Sequence, residues 1–129
     1  MIVDSSALMA VLEGETDSEL VLDAALSGPC RMSAASWLEV AIVADNRSTT
    51  HGERLDRLVS TLDIEVVPVT VRQAEVARLA YRRYGRGSGS AARLNYGDCF
   101  AYALSVVAGE PLLFVGDDFT HTDVASAIS

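Results

Sequence analysis

Five acidic residues stand at positions from which carboxylates could do chemistry. The first directly follows a short apolar strand, the second and third lie near the starts of two expected helices, and the last two follow another apolar strand after a single glycine. An unpaired carboxylate is costly to desolvate in such apolar surroundings, and a shared divalent cation removes that cost. The pattern favours one metal site built from distant segments. The five residues are Asp4, Glu39, Asp98, Asp117 and Asp118.

The ligand types indicate a hard cation. Carboxylate oxygens and water are the ligands that Mg²⁺ and Mn²⁺ prefer. We interpret His51 as a turn residue and His121 as a surface residue of the tail, not as ligands. Cys99 lies next to Asp98, but nothing in the sequence places a basic residue beside it. This argues against a thiolate nucleophile at Cys99. The chain has no lysine, which excludes a Walker-type phosphate loop and a Schiff-base enzyme.

Each acid also has a purely structural interpretation, and the sequence leaves these alternatives open. Asp98 stands three residues after Asn95, so it could simply complete a capping box at a helix start. Asp4 could be a polar residue leaving a strand, and Glu39 could face solvent.

Short apolar strands alternate with helices along the chain, which predicts a parallel sheet covered by helices on both faces. Its 129 residues, half of them hydrophobic, are expected to form a single domain over 1–129. We predict strands at 2–3, 30–32, 64–67 and 112–115, and cannot assign the tail to a strand or a helix. We predict helices from a cap at Ser5 and Ser6 to Gly14, over 16–26, from Ser33 or Ser36 to about Arg47, and over 52–62, 71–84 and 95–109.

The charge is uneven along the chain. The net charge is −8, yet all ten basic residues are arginine, and five of the ten lie within 78–93. Such a local cluster can bind phosphate on an otherwise acidic protein. A solvated helix face followed by a flexible loop at 85–93 explains the cluster about equally well. The chain has no signal peptide pattern and no apolar run long enough to span a bilayer, so we expect a cytoplasmic protein with reduced cysteines.

Four motifs together resemble the PIN-domain ribonucleases, and more closely the VapC-type toxins of bacterial toxin–antitoxin pairs. They are MIVDSSAL at the start, SWLE around Glu39, LNYGDCFAYA around Asp98 and PLLFVGDDFTHTD near the end. The resemblance covers essentially the whole chain in order. It implies a PIN-like three-layer α/β/α fold with a short central parallel sheet.

The resemblance also implies an active site. Asp4 and Asp98 match the metal-ligand positions, with Mg²⁺ expected and Mn²⁺ as an alternative. The implied catalytic set is Asp4, Ser6, Glu39, Asp98 and Asp118, with Asp117 as a substitute for the fourth acid. Ser6 matches a hydroxyl residue that orients the acids. Flanking phosphates of a structured RNA would contact Arg82, Arg83, Arg86 and Arg93.

A toxin of this type implies two protein partners: a cognate antitoxin and a second copy of the chain in a homodimer. The apolar residues of the helices within 16–26 and 34–62 are consistent with an antitoxin groove. Two other functions stay open: a PIN-like binding module with a degenerate acid cluster, and a DNA-directed nuclease. The loop at 85–93 is richer in glycine and serine than the family pattern, which leaves the choice of substrate open.

Overall fold

A short parallel sheet forms the centre of the molecule. The computed structural model describes residues 1–128. All four strands are parallel and lie in the order β3-β2-β1-β4. Since β1 is central, its carboxyl end lies between those of β2 and β4. The strands are β1 (Ile2–Val3), β2 (Arg31–Ser33), β3 (Glu65–Val67) and β4 (Leu112–Leu113).

Helices cover both faces of this sheet. The alternation of side chains along a strand sends Ile2 and Leu112 into one hydrophobic core, and Val3 and Leu113 into the other. Helices α5 and α6 complete the first core, and α1 to α4 complete the second. The predicted three-layer α/β/α architecture is confirmed. The helices are α1 (Ser5–Leu12), α2 (Ser18–Leu26), α3 (Ala34–Arg47), α4 (Thr49–Thr61), α5 (Val71–Tyr84) and α6 (Tyr96–Ala108).

Several predicted boundaries differ from the structure. Helix α2 begins two residues later than the predicted 16–26, and α4 begins at Thr49, before the predicted 52–62. The side chain of Ser48 accepts a hydrogen bond from the His51 N–H and so starts α4 early. His51 therefore lies in a helix, and its interpretation as a turn residue was wrong. Strand β2 lies one residue later than the predicted 30–32. Strand β3 begins one residue later than the predicted 64–67, and β4 ends two residues before the end of the predicted 112–115.

The cap of α1 is Asp4, not Ser5 or Ser6 as predicted. Its carboxylate Oδ2 accepts a hydrogen bond from the Ser6 N–H at 3.0 Å. A carboxylate at this position satisfies a free N–H and is favoured by the positive end of the helix. The first acid of the predicted site is thereby fixed at the exit of the central strand.

The tail closes the far edge of β4. Leu112 donates its N–H to Ala125 at 2.8 Å and accepts from the Ala127 N–H at 2.9 Å, forming a single parallel bridge. The segment before it, 114–125, makes turns beyond the end of β4 and carries Asp117 and Asp118. Among residues 1–128, no helix is both long and apolar enough to cross a membrane.

Candidate active site

Asp4 is held at the exit of the central strand. Its side chain is 4 % exposed. The backbone N–H of Asp4 donates to the Leu113 carbonyl at 2.9 Å, which ties it to the neighbouring strand β4. The carboxylate thus sits at the carboxyl edge of a parallel sheet, where open α/β proteins bind ligands.

Asp98 lies in the first turn of helix α6 and is 8 % exposed. The Asn95 side-chain oxygen accepts from the Asp98 N–H at 2.9 Å, and Asp98 Oδ2 accepts from the Asn95 N–H at 3.0 Å. This is the capping box that the sequence allowed as a structural interpretation. Helix α6 precedes β4 along the chain, so its start lies at the same edge of the sheet as Asp4.

Glu39 comes from α3 and is held from two sides. Its Oε1 accepts a hydrogen bond from the Ser5 hydroxyl at 2.8 Å. Its carboxylate also lies against Gly97 in the first turn of α6, where an added Cβ would overlap it. Neither contact was predicted from the sequence. The glycine after Tyr96 in the LNYGD motif was the available signal for a close approach.

Ser6 links α1 to the segment that carries the last acids. Its hydroxyl accepts a hydrogen bond from the Val115 N–H at 3.1 Å, just before the turn at 116–121. The Ser6 backbone N–H binds Asp4, as described above. Ser6 therefore contacts two of the segments that supply acids, which is consistent with its predicted orienting role.

The acids act on one another. Burial and, after it, the charges of Asp118, Asp4 and Glu39 together raise the pKa of Asp98 from 3.8 to about 6, against the lowering effect of the Asn95 hydrogen bond. Burial likewise raises the pKa of Asp4, with a smaller contribution from Glu39. Three acids from three other segments thus act on Asp98. The charge of Asp118 has the largest effect of the three, which favours Asp118 as the fourth acid.

Within residues 1–128, no basic side chain pairs with an acid of this cluster, which comprises Asp4, Glu39, Asp98 and Asp118. As they stand, no three acidic, histidine or cysteine side chains within 1–128 are grouped tightly enough to enclose a metal ion. The candidate ligands are nonetheless all carboxylates, and two of these residues, Asp4 and Asp98, are buried. Carboxylate oxygens are the ligands that Mg²⁺ and Mn²⁺ prefer. The residues present fit a hard divalent cation.

Cys99 does not compete for this role. Burial and the neighbouring Asp98 charge raise the pKa of its thiol to about 11. The thiol donates to the Asn95 carbonyl at 3.4 Å. A protonated, hydrogen-bonded thiol is a poor nucleophile and a poor metal ligand, as the sequence led us to expect.

The four predicted RNA-contacting arginines differ in their surroundings. Arg83 lies 3.9 Å from an Asp123 oxygen and 4.8 Å above the ring of Tyr84. Arg82 is exposed on the same helix, α5. Arg86 and Arg93 instead line a cleft whose opposite wall contains Asp117 and Asp118.

Comparisons with known proteins agree with this arrangement. The PIN-domain family model matches residues 1–125. Ribonuclease VapC of Mycolicibacterium smegmatis is 51 % identical over 128 residues, covering 98 % of both chains. Ribonuclease VapC42 of Mycobacterium tuberculosis is 49 % identical over 129 residues, again covering 98 % of both.

Solved structures share the fold at lower identity. The sarcin–ricin-loop-cleaving toxin VapC20 of Mycobacterium tuberculosis superposes with a TM-score of 0.76 at 16 % identity, covering 96 % of this chain and 95 % of that one. A toxin–antitoxin complex from Klebsiella pneumoniae gives a TM-score of 0.69 at 18 % identity, covering 95 % of this chain and 92 % of its counterpart. The chain belongs to the PIN-domain family and, within it, to the VapC ribonucleases.

Proposed function

We propose that the chain is a metal-dependent endoribonuclease that acts as the toxin of a toxin–antitoxin pair. The observation that carries this proposal is that Asp4, Glu39 and Asp118, from three other segments, act on Asp98, while no ion pair within residues 1–128 involves any of the four. The ribonuclease names of relatives that are about half identical along nearly the whole chain support the reaction type.

In this proposal Asp4 and Asp98 hold Mg²⁺ or Mn²⁺. When bound, the ion would supply an activated water and neutralise charge on the scissile phosphate. Glu39 and Asp118 would hold and orient water at the rim, because both are more exposed than the two buried aspartates. Ser5 and Ser6 would keep Glu39 and Asp4 in position through the hydrogen bonds described above.

Arginines would bind the RNA strand on either side of the cut. Arg82, Arg83, Arg86 and Arg93 lie on α5 and in the loop that follows it, and all four are exposed. Phosphate contacts of this kind provide affinity without reading the base sequence. They explain how a protein with a net charge of −8 could bind a polyanion.

The test is cleavage of total RNA with Mg²⁺, with Mn²⁺ and with EDTA. We expect cleavage with either ion, none with EDTA, and a loss of at least about a hundredfold in Asp4→Ala and Asp98→Asn. Asp56→Asn removes an exposed acid of α4 and serves as the matched control. Cleavage by both site variants at the parent's rate would refute the assignment. A parallel assay on single- and double-stranded DNA separates a ribonuclease from a DNA-directed nuclease.

Metal binding can be measured without any reaction. Mn²⁺ is expected to raise the Tm of the parent and of Asp56→Asn, but to leave that of Asp98→Asn unchanged. The absence of a metal response in the parent, together with tight binding to a protein partner, would favour the binding module over the enzyme.

A small antitoxin is the partner that we propose for the outer surface of α2 and α3. Leu20 and Leu26 of α2 are 57 % and 67 % exposed, and Leu38 and Ile42 of α3 are 52 % and 51 % exposed. The two helices both pack against α1, and large apolar side chains that stay exposed are typical of a surface that another chain covers. The Klebsiella pneumoniae complex of the same fold pairs a toxin with an antitoxin.

This partner can be tested by co-purification with the product of a neighbouring small gene. Leu38→Glu and Ile42→Glu should weaken the complex while leaving RNA cleavage by the free enzyme intact. Val106→Glu, at a 46 % exposed position of α6, is the matched control. Unchanged complex formation in both variants would place the partner elsewhere. We further propose that the chain is cytoplasmic and that it forms a homodimer. Light scattering of the purified chain would test the dimer.

A further inference from the structure

A cleft opens beside the acid cluster on the side of the glycine- and serine-rich loop. Its volume is about 500 Å³. One wall is the loop, with Arg86 and Arg93, and the other is the turn after β4, with Asp117, Asp118 and His121. Asp118, the fourth acid of the proposed site, lines this cleft, so the cleft adjoins the acid cluster.

The loop is more ordered than its composition predicts. Leu94 donates its N–H to the Tyr84 carbonyl at 2.8 Å and accepts from the Arg86 N–H at 3.0 Å, which pins both ends together. Inside the loop, the Ser88 hydroxyl donates to the Gly85 carbonyl at 2.6 Å, and the Ser90 N–H donates to Ser88 at 3.2 Å. Arg86 and Arg93 thus project from a loop whose two ends are joined by backbone hydrogen bonds.

Arg93 occupies a backbone conformation that disfavours its side chain. Its φ is +51°, a value that glycine adopts more easily. The loop uses glycine at other positions with positive φ, Gly87 and Gly89, yet has arginine here. Local strain of this kind is found where a side chain is needed for function.

Both arginines are free to bind an anion. Within residues 1–128, neither forms an ion pair, although Asp117 and Asp118 line the same cleft. Arg83, by contrast, is already engaged by Asp123 and lies over Tyr84. Two guanidinium groups that face carboxylates across an open cleft can bind a phosphate group between them. A cation held by the acids would then contact the same phosphate from the opposite side.

We infer that this cleft binds the RNA phosphate next to the one that is cut, through Arg86 and Arg93. His121, which the sequence suggested was only a surface residue, faces the same phosphate and can donate an imidazole N–H to it. Arg82 and Arg83 contribute less than this pair. The inference rests on the proposed nuclease function and adds to it the position of one neighbouring phosphate.

The test measures binding of fluorescently labelled mixed transfer RNA in an Asp98→Asn background, which prevents cleavage. Arg86→Ala and Arg93→Ala should each raise Kd about fivefold to tenfold. Each should also reduce the slope of log Kd against log salt concentration by about 0.7 to 0.9, the value of one lost phosphate contact. Arg57→Ala, at an exposed position of α4 on the other face of the sheet, is the matched control and should change neither quantity.

A second pair of variants separates binding from folding. Arg93→Gly should raise Tm by about 2 to 5 °C, because it relieves the positive φ, and yet weaken RNA binding as much as Arg93→Ala. Asp63 has the same φ of +51° at the end of α4. Asp63→Gly should therefore gain similar stability without weakening RNA binding.

The inference is overturned if the Arg86 and Arg93 variants bind RNA like their parent, or if they lose only the protein partner and keep RNA affinity. Failure of the nuclease proposal gives a different result: the wild-type chain would then cleave no RNA with Mg²⁺ or Mn²⁺. An inactive Asp98→Asn with unchanged RNA affinity in the arginine variants would refute the cleft alone.

Discussion

The Asp98 carboxyl is buried beside three other acids, so its ionisation should oppose folding whenever no cation is bound. Replacing it by asparagine keeps the size of the side chain and an oxygen for the capping box with Asn95. We therefore expect Asp98→Asn to be more stable than the parent in EDTA at neutral pH, although it should have lost catalysis.

The magnitude follows from the pKa. Burial first, and then the charges of Asp118, Asp4 and Glu39, raise the pKa of Asp98 from 3.8 to about 6. A tenfold change in proton affinity corresponds to about 1.4 kcal/mol. Ionised Asp98 therefore costs the folded state about 2 to 3 kcal/mol at neutral pH, and asparagine should recover most of this free energy of unfolding.

The dependence on pH has a definite direction. Below about pH 3 the carboxyl is protonated in both the folded and the unfolded state, and it costs nothing. As the pH rises from about 4 to about 6, the unfolded chain loses this proton first, so the stability of the parent falls, and above about pH 6 the loss is complete. Asp4, whose pKa burial also raises, adds a loss in the same direction in both proteins.

Urea unfolding from pH 4 to pH 8 in EDTA measures this difference. The gap between Asp98→Asn and the parent should open over that interval and reach about 2 to 3 kcal/mol at pH 7. Saturating Mn²⁺ should close or reverse the gap, because only the parent gains from the ion. A variant that is less stable than the parent at pH 7 in EDTA would refute the claim that the carboxylate is strained by its surroundings.

Three further changes test the supports of the site. Gly97→Ala should leave Tm within about 3 °C, because the Glu39 carboxylate that it displaces is the end of a flexible side chain, but should lower kcat about tenfold or more. Tyr102→Phe removes the 2.5 Å hydrogen bond to Asp123 and should cost about 1 kcal/mol in urea unfolding. Leu113→Ala, at a fully buried position of β4, should cost about 2 to 5 kcal/mol in the same measurement. Unchanged kcat in Gly97→Ala would mean that the position of Glu39 is irrelevant to catalysis.

Elements with strong local signals were predictable from the sequence. Helix α5 has the bounds that its pattern predicted, since Thr70 caps its start and Gly85 follows its end. The start of α4 was misplaced because glycine suggested a boundary. Gly52 instead lies buried inside the helix, where a Cβ would overlap the Asp45 carboxylate. That requirement comes from packing between α3 and α4, which no local pattern reveals.

The same limit applies to the site. The residue types and the order of the segments predicted which acids could meet, and the positions of Asp4 and Asp98 agree with that prediction. The contact of Ser5 with Glu39 joins two helices far apart in the sequence, and the place of His121 in the cleft depends on how the tail returns to β4. Such tertiary contacts cannot be derived from spacing along the chain.

Asp98 shows why two competing interpretations of one residue can both hold. A carboxylate has two oxygens, and the capping box uses Oδ2 alone, through the Asn95 N–H at 3.0 Å. The capping bond fixes the orientation of the carboxyl group in the first turn of α6, and no hydrogen bond within residues 1–128 uses Oδ1, which leaves this oxygen for a cation. The capping role thus supports the proposed catalytic role. The hydrogen bond to Asn95 already restricts the rotation of the Asp98 side chain, so less conformational entropy is lost when that side chain binds a metal ion. An acid placed at this position without Asn95 would be as negative, but less well oriented.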